Sequence, residues 1–407
     1  MSFFSAQEQQ STELRETTLA AKLSDFLCFA KDSSDYYQQL FADIDVSQID
    51  SRAALAKLPI TRKADLIKLQ AASMPFAGMV PQSANIGRVF QSPGPIYEPE
   101  ADEHDWWRMG QAFFAAGFRE GDIVQNCLSY HLTPGGFIMD SGAKACGCSV
   151  IPAGPGQTEL QLEIAQNLKP NGYCGTPSFL KILLDKASLQ QQALPFKKAL
   201  VTGEALTPAL KATFIAADIE VKQAYATADI GLIAFESVTD DGLIVAEDII
   251  LELVRPGTLT PVEPGEVGEI VITSFNPCYP LIRFATGDLS AELKGSSTCG
   301  RSNIRIKGWL GRADQTTKVK GLFVHLEQVE RIRVQHQMIQ RLRLVVSRED
   351  DNDKMLLRCE VAEAELSNVD RVVIEQTIRA VTQLSGEVSI EPLGSLPNDG
   401  IVIEDRR

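Results

Sequence analysis

From about residue 85 to about 230 the chain alternates short apolar runs with helix-start signals, and this alternation limits the fold more than any other feature. Thr158-Glu159-Leu160-Gln161 has the spacing of a capping box and follows Pro155-Gly156. Thr176-Pro177 places a cap and a first-turn proline ahead of Phe179, Leu180, Leu183 and Leu184. Between these helices, Ala199-Leu200-Val201-Thr202 and Ile219-Glu220-Val221 read as strands that feed loops. A strand-helix alternation of this kind predicts an α/β fold, whose ligands bind beyond the carboxyl ends of the strands.

The texture changes on either side. Residues 1–72 read as helical, with Leu19, Leu23, Phe26 and Leu27 at three- and four-residue spacing. Residues 244–290 are strand-rich, with a turn through Pro264-Gly265. After Gly311, two apolar strands around 341–346 and 355–361, a helix over about 367–384 and a strand at 388–390 predict a small α+β domain. The expected organisation is an N-terminal helical segment (1–72), a large core domain of mixed sheets and helices (73–313) and a C-terminal α+β domain (314–407). A chain of 407 residues is long enough for two or three such units.

Composition narrows the function. A net charge of −14 opposes nucleic acid as the main partner, because phosphate backbones are gripped by clustered Lys and Arg. No stretch reaches the roughly 20 apolar residues that span a bilayer, and Met1-Ser2-Phe3-Phe4-Ser5 has no signal-peptide pattern. The expectation is a cytoplasmic protein with neither membrane nor nucleic-acid partner. Eight cysteines without a CxxC pair read as buried reduced thiols.

Three short blocks carry the chemistry. They are Tyr225-Ala226-Thr227-Ala228-Asp229-Ile230-Gly231, then Arg283-Phe284-Ala285-Thr286-Gly287-Asp288, then Gly311-Arg312-Ala313-Asp314 running on to Lys318-Val319-Lys320-Gly321. Each joins a glycine to hydroxyl, carboxylate or cationic side chains. Together they supply backbone room, phosphate donors and a carboxylate for ribose hydroxyls or a magnesium ion.

In this order the blocks resemble those of the adenylate-forming ligase superfamily, and more closely its phenylacetate-CoA ligase branch. The similarity runs from about residue 58 to 407. Leu58-Pro59-Ile60-Thr61-Arg62-Lys63-Ala64-Asp65-Leu66 resembles the segment that opens that fold, and Gly203-Glu204-Ala205-Leu206 a loop near adenine. The resemblance implies an AMP-forming acyl-CoA ligase that uses ATP, Mg2+ and coenzyme A to activate an aryl or arylacetic acid through an acyl adenylate. It also suggests a homodimer. It implies that Tyr225 and Ala226 lie against adenine, Thr227 at the α-phosphate and Asp229 on magnesium. Asp288 and Arg312 would meet the ribose, Asp314 would act as the hinge, and Lys320-Gly321 would lie near the pantetheine channel. Rotation about such a hinge would present two active-site faces in turn.

Two departures qualify that expectation. Where the family has a Ser/Thr/Gly-rich phosphate loop, this chain reads Phe90-Gln91-Ser92-Pro93-Gly94-Pro95-Ile96-Tyr97-Glu98-Pro99. Prolines 93 and 95 remove amide donors, which leaves Ser92 and Gly94 as phosphate contacts, and Glu98 would repel a phosphate. The tail Leu396–Arg407 resembles the family's terminal motif with Ile401 in the place of its lysine. An alternative follows: a catalytically degenerate adenylate-binding protein on the same fold. For the acid, Tyr130, His131 and Phe137 offer an apolar slot with polar groups.

Overall fold

The computed structural model describes residues 2–239, 241–313, 315–319, 322–349, 352–366 and 368–406. Two compact units emerge. The first is Met1–Leu251 with Val271–Ala285 and Glu292–Trp309, and the second is Glu252–Ile270 with Thr286–Ala291 and Leu310–Arg407.

The first unit is built on the predicted strand-helix alternation. Its strands Ser149–Pro152, Ile123–Asn126, Gly172–Gly175, Lys198–Val201 and Glu220–Thr227 lie side by side in that order and pair in parallel. Strand Gly231–Glu236 then turns back antiparallel on Glu220–Thr227, followed by Leu243–Val245 and Arg305–Ile306. Parallel strands need long crossovers, and the helices Gly135–Ala145, Thr158–Leu168, Pro177–Leu189 and Pro208–Ala216 supply them. Leu180, Leu183, Phe196, Phe214 and Val221 bury the helix faces against this sheet.

Helix starts follow the sequence at one place and depart from it at another. Thr176 accepts a hydrogen bond from the amide of Phe179 at 3.2 Å, with Pro177 in the first turn, as expected. The helix Thr158–Leu168 instead begins after Gln157 in a left-handed conformation, without a side-chain cap. The glutamine of the anticipated box, Gln161, is buried and spends its amide on the carbonyls of Gly154 and Gly156 at 2.6 and 3.0 Å.

The helical N-terminus packs into the same unit. Helix Thr12–Ser33 buries Leu23, Phe26 and Leu27 with Phe41, Ile250 and Ile282. The Tyr37 hydroxyl donates to the carbonyl of Pro280 at 3.0 Å. The short strand Thr61–Arg62 pairs in parallel with Phe284–Ala285, and the buried guanidinium of Arg283 donates to the carbonyls of Ala56 (2.7 Å) and Leu58 (2.5 Å).

In the second unit, a four-stranded sheet runs in the order Glu387–Pro392, Asn352–Val361, Ile339–Glu349, Ile403–Asp405. Helices Leu326–Gln335 and Arg371–Thr382 cover it, with Val329, Ile332, Leu344, Leu357, Ile374 and Ile378 at the centre. These are the α+β elements anticipated after Gly311. The strands Ile249–Val254, Val267–Ser274 and Leu281–Leu293 contribute residues to each unit.

Candidate active site

Within the first unit, several of the predicted residues lie at the carboxyl ends of the parallel strands, where an α/β sheet leaves backbone groups unpaired. Tyr130 follows strand Ile123–Asn126, and Gly203-Glu204 follows Lys198–Val201. Tyr225, Ala226 and Thr227 end strand Glu220–Thr227, with Asp229 in the turn beyond. That turn is closely fixed. The Thr227 hydroxyl accepts from the amide of Ile230 at 3.3 Å, and Leu232 donates to the carbonyl of Trp107 at 3.0 Å. Gly231 has φ +80°, and a β-carbon there would stand 2.6 Å from Cβ of Trp107, so the glycine of this block is required on two counts. Arg108 donates to the carbonyl of Ile230, and burial pulls its guanidinium down to about 10.

Asp229 is the buried centre of this region. Its Oδ2 accepts from Lys63 Nζ at 2.5 Å, and Oδ1 has no hydrogen-bond partner among the described residues. The aspartate side chain is 0% exposed and the lysine 25%. Lys63 sits at the start of the turn Lys63–Asp65, directly after the strand that pairs with Phe284–Ala285. It was not anticipated as a site residue, although the segment carrying it was.

Glu98 completes the cluster. The Ser92–Ile96 segment closes as the tight turn of a hairpin between strands Ile86–Ser92 and Ile96–Ala101. Ser92 is buried, Gly94 is exposed at the turn, and Glu98 faces inward at 1% exposure. Neither Glu98 carboxylate oxygen makes a well-formed hydrogen bond among the described residues. Burial, and then the Asp229 carboxylate, push Glu98 up to about 8, with Ser92 and Lys63 drawing it partly back. The buried Tyr279 hydroxyl, also without a hydrogen bond there, is raised by burial and then by Asp229 and Glu98.

Of the three residues expected to line an acid slot, two are in contact. Tyr130 and Phe137 meet edge to face at 5.2 Å, and Phe90 lies 5.2 Å from Phe137. Asn126 Nδ2 donates to the Tyr130 hydroxyl at 2.7 Å, and burial, then Asp140, raises that phenol. His131 is exposed and is tied through its backbone amide to Ser129 Oγ at 3.1 Å. Glu204 accepts from the amide of Ser178 at 3.3 Å, at the start of helix Pro177–Leu189.

The second unit holds the two residues expected at the ribose. Asp288 Oδ1 and Arg312 Nη1 are 3.1 Å apart, and their backbones form a β-bridge. Gly287 has φ +77°, and a β-carbon there would lie 2.7 Å from Arg312 Nη2, so glycine lets the guanidinium close over the loop. The Thr286 hydroxyl donates to the carbonyl of Ile270 and accepts from the amide of Asp288 at 3.1 Å. Asp314, Lys320 and Gly321 lie outside the described residues. In the tail, Ile401 is 38% exposed and its amide donates to Asp399 Oδ1 at 3.0 Å. Gln315 receives the amides of Val402 and Ile403 at 2.5 and 2.7 Å. Arg406 is paired with Glu404 at 2.7 Å.

Known proteins resemble this chain in sequence and fold. Residues 105–276 match the family model described as AMP-binding enzyme. Over that stretch the chain is similar to the AMP-binding, adenylate-forming enzymes. The phenylacetate-coenzyme A ligase of Thermus thermophilus is 27% identical over 376 residues, covering 88% of this chain and 84% of its own. That of Escherichia coli is 26% identical, covering 96% and 94%. The chain is accordingly phenylacetate-CoA ligase-like. Its fold matches that of a 2-hydroxyisobutyryl-CoA ligase solved in an open conformation with 2-HIB-AMP and CoA, with a TM-score of 0.71 at 22% identity, over 96% of this chain and 91% of that one. Among the described residues, no helix is long and apolar enough to cross a membrane, and no group of three or more His, Cys, Asp or Glu is placed to hold a metal.

Proposed function

We propose that this protein is an AMP-forming acyl-CoA ligase. A carboxylic acid attacks the α-phosphorus of ATP, pyrophosphate leaves, and the thiol of coenzyme A then displaces AMP from the acyl adenylate. The observation that carries this reading is the placement of Tyr130, Gly203-Glu204 and Tyr225–Asp229 at the carboxyl ends of the parallel strands, in a chain similar along most of its length to phenylacetate-CoA ligases. The Tyr130, Phe137 and Phe90 cluster favours an aryl or arylacetic acid, because flat rings pack edge to face at such distances. Asp288 and Arg312 are assigned to the ribose and Asp314 to the hinge. Magnesium enters on the triphosphate of ATP. The eight cysteines are all free thiols, which supports a reducing, cytoplasmic setting. A homodimer is proposed from the family resemblance.

The test is pyrophosphate release from Mg-ATP with a panel of aryl, arylacetic and aliphatic acids, with hydroxylamine present to trap the adenylate. Acid-dependent release of pyrophosphate and hydroxamate is expected, and silence across the panel refutes turnover. A second reading, adenylate binding without turnover, is favoured by the hairpin turn at Pro93–Pro95 and by Ile401 in the lysine position. Ile401→Lys separates the two. A transition-state cation contributes about 100- to 1000-fold, so a rise of that order marks a ligase slowed at adenylation. An unchanged rate places the deficit elsewhere.

A further inference from the structure

Asp229 and Glu98 are buried with carboxyl oxygens that lack hydrogen bonds among the described residues, and Lys63, paired with Asp229, is half-buried, so the role of the cluster turns on what an incoming ligand meets first. Of the ion pair, the lysine is the member that solvent reaches, at 25% exposure against 0% for the aspartate. A divalent ion such as Mg2+ demands near-octahedral oxygen coordination and keeps several of its waters. To bind Asp229 it would have to enter a fully buried position and displace an ammonium already 2.5 Å from Oδ2. As arranged, these residues do not fit a resident metal. They fit an anion arriving on the lysine side, with the Asp229 carboxylate behind holding the ammonium in place.

We propose that Lys63, and not a metal ion on Asp229, is the cationic contact for the ligand's phosphoryl group, and that the site binds a nucleoside monophosphate or its acyl ester without metal. This rests on the adenylate-binding reading above and gives that site its ligand chemistry. The ammonium neutralises the single negative charge of an acyl adenylate. The hairpin turn at Pro93–Pro95 provides few amides for further phosphates, and Glu98 lies behind it, so a triphosphate gains little over a monophosphate.

The experiment is calorimetric titration of the full chain with AMP, in excess Mg2+ and in excess EDTA. Wild type is expected to bind AMP with dissociation constants within about threefold of each other in the two buffers. Lys63→Met is expected to weaken AMP by about 10- to 100-fold, the scale of one charge-assisted hydrogen bond. Added Mg2+ should partly restore that affinity, because the vacated Asp229 carboxylate then accepts a divalent ion. Lys63→Arg should stay within about fivefold of wild type, since it keeps the charge. The inference is overturned if Mg2+ tightens AMP binding to wild type by more than about tenfold, or if Lys63→Met binds AMP as wild type does. The wild-type comparison stands whether or not the methionine variant folds. Binding that requires Mg2+ refutes the inference alone, whereas no AMP binding in either buffer refutes the adenylate site as well.

Discussion

Replacing Glu98 by glutamine should stabilise the protein, and by an amount that grows with pH. Glu98 is 1% exposed, and its ionised form must face the Asp229 carboxylate. A carboxyl group that rises from 4.5 to about 8 on folding is protonated in the native state while already ionised in the unfolded chain. Between those values the native state binds the extra proton, so stability falls as pH rises. At about 1.4 kcal/mol per pH unit, the loss reaches about 3 kcal/mol near neutrality and about 5 kcal/mol above the folded value. Glutamine has nearly the same shape and never ionises, so Glu98→Gln should escape this loss. Urea denaturation of both proteins from about pH 5 to about pH 9 measures the difference directly, because every other titrating group cancels. The variant should be within about 1 kcal/mol of wild type at the acid end and several kcal/mol more stable at the alkaline end. A difference that stays flat across the range would refute the argument and place a compensating positive charge beside Glu98.

Further outcomes follow from the same geometry. Asp288→Asn removes a carboxylate held by Arg312 and should weaken AMP by about tenfold, while leaving pyrophosphate binding unchanged; calorimetry with both ligands checks this. Gly136→Ala would bring a β-carbon to 2.7 Å from the Tyr130 ring and 2.8 Å from the carbonyl of Ser129. It should cost about 1–3 kcal/mol of stability and raise KM for the acid without altering affinity for AMP, as read from thermal unfolding and steady-state kinetics.

Much of the fold was legible because its signals are local. Thr176-Pro177 starts a helix wherever the chain takes it, and the β-rich and α+β stretches declare themselves by period. Of the three blocks read as the site, the first has a glycine that the structure requires on steric grounds, Gly231 against Trp107, and the second has Gly287 at a positive φ. The capping box failed because Gln161 turns to the carbonyls of Gly154 and Gly156 in the preceding loop, contacts that a four-residue window does not reach. Lys63 was missed for a related reason. It is 166 residues from Asp229, and nothing in the composition of either segment marks the pairing. The environment of Glu98 was equally hidden, because repulsion of a phosphate follows from its charge, whereas its own proton affinity depends on what surrounds it.

The attachment of the N-terminal helices to residues made much later sets a timetable for the newborn chain. Leu23, Phe26 and Leu27 pack with Ile250 and Ile282, and Arg283 holds the carbonyl of Ala56 across 227 residues. At about 5–20 residues per second, a ribosome takes on the order of 10–45 s to supply that partner. For that interval the first helices carry an apolar stripe with its final cover still unsynthesised. Translation speed and access to chaperones should therefore govern the yield of soluble protein, with sensitivity concentrated in the stretch between the first helices and Arg283.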